Sequence, residues 1–214
     1  MLVKRSGMTR REALENCIVR GGLTAGVAMS STRLLEAWEE TANAKPTPME
    51  VLGPFYKKGA PNTANLRAPG DPGFPLKVDG RVHNLKGEIV PGAKVEVWQA
   101  DDIGKYDTLG YRYRAALLPG STGIYSVDTV MPGHYSDRPA QHIHYMITAP
   151  GHKTLVTQIY FATDPWFDGD PDKNYAKRGL VGNRELVRPV KLFEGQAKSQ
   201  IHATVTFDIC LERA

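Results

Sequence analysis

Short β-forming runs broken by proline–glycine pairs constrain this chain more than any other feature. Residues 77–83, 92–99, 123–129, 141–149, 154–161 and 203–210 read as strands, with weak alternation in the first and clearer alternation in the second. In residues 92–99, Ala93, Val95 and Val97 share one face and Lys94, Glu96 and Trp98 the other. The pairs Pro91-Gly92, Pro119-Gly120, Pro132-Gly133 and Pro150-Gly151 fall between these runs. Proline lacks a ladder donor and glycine accepts left-handed turn geometry, so each pair stops a strand and lets the chain reverse. Six or more such strands predict an all-β chain, a β-sandwich core with long loops over residues 76–214, with a barrel as the neighbouring solution. Residues 162–200 read as a long polar excursion from that core, and its tract 162–174 as either a surface loop or an oligomer contact.

Two segments precede the core. Residues 45–75 carry Pro46, Pro48, Pro54, Pro61, Pro69, Pro72 and Pro75, so they form neither a helix nor a central strand and predict an extended arm. The aromatic knot Gly53-Pro54-Phe55-Tyr56 predicts that part of the arm docks. In residues 1–44, Lys4, Arg5, Arg10 and Arg11 precede a small-residue apolar stretch at 21–31, and Ala42-Asn43-Ala44 supplies a small-residue exit. That is a signal-peptide outline, and Thr9-Arg10-Arg11 is similar to the start of a twin-arginine signal, which exports folded, cofactor-loaded proteins. The competing reading is a short N-terminal helix boxed by Thr9 and Glu12. The first reading places the protein in the periplasm or outside the cell, the second in the cytoplasm.

Composition narrows the chemistry. The net charge is +4 with Lys and Arg scattered, which gives no footprint for nucleic acid. No apolar run has the length of a membrane span. With only Cys17 and Cys210, a disulfide framework and a thiolate metal site are excluded, so any metal has N and O ligands. His142 and His144 lie two apart in a predicted strand and so share a face, where two imidazoles can converge on a metal. The same spacing arises from one core-facing and one chance histidine, and it occurs in cupins and metal hydrolases. The glutamate that a cupin places after the second histidine is missing from residues 145–153. Tyr106 and Tyr135 each follow a strand, where a sandwich carries its sites. A phenol with a pKa of about 10 ionises at neutral pH only beside a strong Lewis acid, and tyrosinate suits Fe(III) better than Zn(II) or Mg(II). With nine tyrosines in the chain, an ordinary packing role stays open for each. His134 and His152 read as loop residues near the site. No Gly-x-Ser-x-Gly, Walker, Gly-x-Gly-x-x-Gly or His-Glu-x-x-His motif offers another scheme.

Four motifs in order carry a resemblance: residues 95–107 (VEVWQADDIGKYD), 132–135 (PGHY), 138–144 (RPAQHIH) and 157–161 (TQIYF). Together they resemble the intradiol ring-cleavage dioxygenases, which include the catechol 1,2- and protocatechuate 3,4-dioxygenases. The resemblance implies one non-haem Fe(III) per chain, ligated by Tyr106, Tyr135, His142 and His144. It implies that Tyr135 is displaced when a catechol chelates, that Arg138 stabilises negative charge on the activated substrate, and that Gln158 lines the pocket. The implied partners are O2 and a catechol-type small molecule, cleaved between its hydroxylated carbons to a cis,cis-muconate-type product. A homo-oligomer is allowed. The rival function is a non-catalytic exported β-sandwich binding or scaffold module. One departure stands out: the family spacing is Arg-Pro-x-His-x-His, and here Ala140-Gln141 adds a residue between Arg138 and His142. It bears on the pose of Arg138 more than on the iron ligands.

Overall fold

A computed structural model describes residues 44–135, 138–179, 181–195 and 200–214, all within the compact unit Glu40–Ala214. The signal or helix reading of residues 1–44 lies outside the described residues except for Ala44. Among the described residues, ten strands form two five-stranded sheets. The first is built on β1 (Pro75–Asn84), whose alternate residues Leu76, Val78 and Val82 are fully buried. It pairs antiparallel with β4 (Ile124–Val130) and parallel with β9 (His202–Thr206) and β10 (Ile209–Leu211), while β8 (Lys191–Phe193) edges β9. The second sheet runs β3 (Arg114–Leu117), β2 (Lys94–Trp98), β5 (His142–Thr148), β6 (Leu155–Phe161), β7 (Val187–Arg188). Side chains from both sheets make one core, and Tyr145 of the second sheet meets Tyr125 of β4 and Phe207, just after β9, at ring-centroid distances of 6.3 and 5.1 Å.

The all-β sandwich expectation holds, with three differences in detail. The run 203–210 is two strands rather than one. Its break comes where Phe207 N donates to Asp79 O and the Asp208 carboxylate accepts from Arg81 N, so a side chain replaces one rung of the ladder. Strand β3 has no alternation to betray it and forms by pairing with β2. Among its described residues the excursion 162–200 carries β7, β8, three short 3-10 turns and a short α-helix, α1 (Pro171–Asn174), capped by Asp170.

The proline-rich stretch 44–74 stays irregular and is pinned at intervals. Thr47 N reaches Cys210 O, Glu50 N reaches Val156 O, and Leu66 N reaches Asp128 O. Prolines cannot donate, but their carbonyls accept: Pro48 O takes the Thr157 hydroxyl and Pro61 O takes Ala116 N. This coverage explains why β5 is buried on both faces near its start. Ile143, Tyr145 and Ile147 face the core, while His142 and His144 point the other way and are still buried. The outer face of the second sheet is thereby a second, smaller interior, with Trp98, Ala100 and Tyr106 packed under Phe55, Tyr56, Tyr135 and Met146.

Candidate metal centre

Strand register builds the floor of the site. Trp98 stands opposite His144, which stands opposite Gln158, and His142 stands opposite Tyr160. These five residues form two adjacent rows on the outer face of β2, β5 and β6. The His144 ring lies flat against Trp98 at 4.9 Å with planes 5° apart, and the two histidine rings are 4.8 Å apart.

Two loops bring the tyrosines over this floor. Tyr106 sits between two aspartate-made turns. Asp101 Oδ1 accepts from Ile103 N and Lys105 N, and the Asp107 carboxylate accepts from Leu109, Gly110 and Arg112 N. Such side-chain-to-backbone bonds fix short irregular segments without a helix or ladder. Tyr135 arrives on the loop after β4, which is tied back by Gly133 N to Asp101 O at 2.7 Å. The two loops cross at Gly104 and Gly133. A Cβ on Gly104 would stand 2.0 Å from His134 O and one on Gly133 2.3 Å from Gly104 N, so only glycine allows the approach. The tyrosine rings end 5.7 Å apart, and Phe55 from the arm stacks on Tyr106 at 4.2 Å.

The donors converge. His142 Nδ1 donates to Ala140 O at 2.8 Å, which leaves the Nε2 lone pair facing inward. Tyr135 Oη is 3.3 Å and Tyr106 Oη 3.5 Å from that Nε2. His144 is buried, and its Nδ1 lacks a hydrogen-bond partner among the described residues. Burial pushes the His142 imidazole down to about 4 and that of His144 well below the usual range, the latter helped by His142. Burial, then the neighbouring Tyr135, raises the Tyr106 phenol. The pocket therefore keeps both imidazoles neutral and gives the Tyr106 phenol no reason to ionise until a cation enters. Two neutral imidazoles and two phenols make an N2O2 set whose oxygens favour a hard, highly charged ion. Among the described residues no group of three or more His, Cys, Asp or Glu converges, so a metal here has to use the tyrosines.

Arg138 and Gln158 lie beside the histidines. The Arg138 guanidinium donates to Gln158 Oε1 at 2.7 Å and to Tyr160 Oη at 2.9 Å, and Tyr160 also donates to Gln158 Oε1. Gln158 is fully buried, and its Nε2 donates to Val51 O on the arm. The glutamine is thus engaged at both ends in bracing Arg138 and holding the arm. His134 contacts Asp164 rather than the donors, and His152 bonds Pro150 O at a turn bridged to Arg213.

Sequence reasoning passed over Trp98, Phe55, Tyr160 and Arg114 as site residues. Trp98 and Tyr160 follow from register once β2, β5 and β6 are paired, and Phe55 belongs to the arm's aromatic knot. Arg114 has no sequence signal. Its buried guanidinium donates to Phe55 O at 2.6 Å and Asp107 O at 3.0 Å, tying the arm to the Tyr106 loop.

Comparison with known proteins agrees with this geometry. A family model described as Dioxygenase matches residues 51–213. The chain is 35% identical over 157 residues to a hydroxyquinol 1,2-dioxygenase of Nocardioides simplex, covering 63% of this chain and 54% of that protein. It is 35% identical over 166 residues to a catechol 1,2-dioxygenase of Acinetobacter baylyi, covering 63% and 52%. It therefore spans about half the length of these curated relatives. Among solved structures, the dioxygenase domain of a dioxygenase carbohydrate-binding protein fusion from Streptomyces sp. SirexAA-E matches with a TM-score of 0.66 at 30% identity, over 79% of this chain and all of that one. The catechol 1,2-dioxygenase of Acinetobacter radioresistens matches with a TM-score of 0.70 at 25% identity, over 86% and 68%. The family model spans most of the chain, and the chain belongs to the intradiol ring-cleavage dioxygenase family.

Proposed function

We propose that this protein is a non-haem Fe(III) dioxygenase that opens a catechol-type ring between its two hydroxylated carbons, using O2 and releasing a cis,cis-muconate-type acid. The observation that carries the proposal is the meeting of two loop phenols at the inward nitrogen of His142, beside a buried His144. Tyr106, Tyr135, His142 and His144 are the residues that would hold the ion. Bound there, ferric iron would supply the Lewis acidity that ionises phenols and would let a catecholate react with O2 without an external reductant.

The remaining work falls to the chain. The Ala140 carbonyl holds His142 in one tautomer, and the Trp98 face holds the ring plane of His144. Tyr135 Oη, once ionised, is a base within the site that can take a proton from an entering catechol hydroxyl. Arg138 keeps a fixed positive charge near the histidines, with Gln158 and Tyr160 preventing its guanidinium from swinging. A guanidinium so placed stabilises negative charge developing on the ring or its oxygens. Phe55, Tyr56 and the rest of the arm cover the site above the Trp98 floor and exclude water from the reacting face. The exported location suggested by residues 1–44 belongs to the same proposal and rests on sequence alone.

The test is the visible spectrum of the Fe(III)-loaded protein, before and after anaerobic catechol. The expected result is a tyrosinate-to-iron band in the blue-green that moves to longer wavelength with catechol and bleaches when air is admitted. A protein that stays colourless after iron loading and catechol addition refutes the assignment.

A further inference from the structure

Asp164 lies outside the donor set, on the turn that follows β6. Its carboxylate is fully buried and takes three donors. One is local: Trp166 N at 2.9 Å, the bond that caps the short turn Pro165–Phe167. The other two come from the site. Gln141 N, immediately before His142, donates to Oδ2 at 2.6 Å, and His134 Nε2, immediately before Tyr135, donates to Oδ1 at 3.0 Å. Gln141 also sends its side-chain amide to Pro132 O at 2.8 Å, closing the loop on itself. A carboxylate withdrawn from water is costly unless its oxygens are satisfied, and a turn cap needs only one of these donors. The two surplus bonds both end next to a metal-donor residue. Gln141 belongs to the pair that adds a residue between Arg138 and His142. Its bonds to Asp164 and Pro132 hold the chain immediately before β5, whose register sets His142 opposite Tyr160.

We propose that Asp164 is a positioning residue that clamps the Tyr135 loop to the start of β5, and so fixes Tyr135 against His142 for metal binding. The inference rests on the ferric reading of the site. It predicts that the carboxylate is required rather than any polar cap. An asparagine offers one acceptor oxygen for three donors, and its amide N–H groups would face another donor.

The experiment follows release of iron to an excess of chelator, read from decay of the tyrosinate band, alongside the melting temperature of each metal-free protein. Asp164→Asn is expected to lose iron about 10–100-fold faster than the wild type, the usual scale for removing a residue that orients metal ligands. His134→Ala removes one donor at a half-exposed side chain and folds even if Asp164→Asn does not. It is expected to speed release several-fold without lowering the melting temperature. Asp170→Asn, which makes the same change of carboxylate to amide at the exposed cap of α1, is expected to release iron like the wild type. Wild-type release rates in Asp164→Asn, or in His134→Ala where that is the variant that folds, overturn the clamp. Equal acceleration in Asp170→Asn also overturns it, because the effect would then be general loosening. A wild-type protein that takes up no iron overturns the ferric reading, and the clamp's metal role with it.

Discussion

Replacing Arg114 with methionine isolates the link between the arm and the Tyr106 loop. The guanidinium is buried and has no carboxylate partner among the described residues, and its Nε has no hydrogen-bond partner among them. Among the described residues its hydrogen bonds go to two main-chain carbonyls, Phe55 O and Asp107 O. Methionine keeps the aliphatic stem and strands both carbonyls. Each lost bond from a charged donor is worth about 1.5–3 kcal/mol, which gives a gross loss of about 3–6 kcal/mol. Relief of burying a cation whose counter-charge, the Asp107 carboxylate, acts only at a distance offsets part of that, leaving an expected destabilisation of about 2–4 kcal/mol. For a chain of this size that lowers the melting temperature by roughly 5–15 °C. The loss is local in origin. Phe55 stacks on Tyr106, so releasing its carbonyl also frees the ring that packs the Tyr106 phenol. Thermal unfolding of the metal-free protein measures the first effect, and the intensity of the tyrosinate band per bound iron measures the second. Arg114→Lys can keep one of the two bonds and should fall between wild type and Arg114→Met in both. A melting temperature within about 2 °C of wild type for Arg114→Met, below the change expected from 1 kcal/mol, would refute the reasoning.

Three other outcomes are expected. Arg138→Ala should lower kcat by about 10²–10³-fold, the scale of losing one preorganised charge stabiliser. Its melting temperature should barely change, because Tyr160 and Gln158 remain bonded to each other; steady-state kinetics and thermal unfolding separate the two. Tyr135→Phe, loaded with Fe(III), should keep a tyrosinate band from Tyr106 at reduced intensity, whereas an unchanged spectrum would remove Tyr135 from the donor set. The metal-free protein should lose stability as pH falls from about 6.5 to about 4, because an unfolded imidazole binds a proton that buried His142 refuses. The unfolded state then holds more protons, so stability rises with pH in that window, by up to about 1.4 kcal/mol per unit for each such histidine. Melting curves across that range should flatten in His142→Gln.

Much of the sandwich was legible because proline–glycine punctuation and alternation are local signals. Strands β2, β4, β5 and β6 sit where their residues predict. The failures have a common cause, since β3, β7 and β8 are only two to four residues long, too short to show alternation, and exist by pairing with β2, β6 and β9. The division of β9 from β10 depends on the bond that Arg81 N donates to the Asp208 carboxylate, well over a hundred residues away. At the site, the two histidines were visible as a strand pair and the tyrosines as loop residues after strands. What gathers them was not visible. Arg114, Asp164 and the Gly104–Gly133 crossing act between segments; local sequence marks Gly133 as a turn but does not show what it meets.

The structure also explains how one sheet serves two purposes. Residues of β5 with one parity, Ile143, Tyr145 and Ile147, build the core, while His142 and His144 of the other parity build the site. A sheet face turned to water would leave those imidazoles solvated and protonatable. The arm prevents this, through Phe55 and Tyr56 over Trp98 and Tyr106 and through the Val51 carbonyl on Gln158. The irregular, proline-rich segment is therefore the element that converts an exposed sheet face into a low-dielectric pocket. In such a pocket a cation's pull on two phenols is strong, since little water screens it. By this logic the docked arm is as necessary to a tyrosinate site as the tyrosines themselves, and changes that lift residues 51–56 should cost metal before they cost the fold.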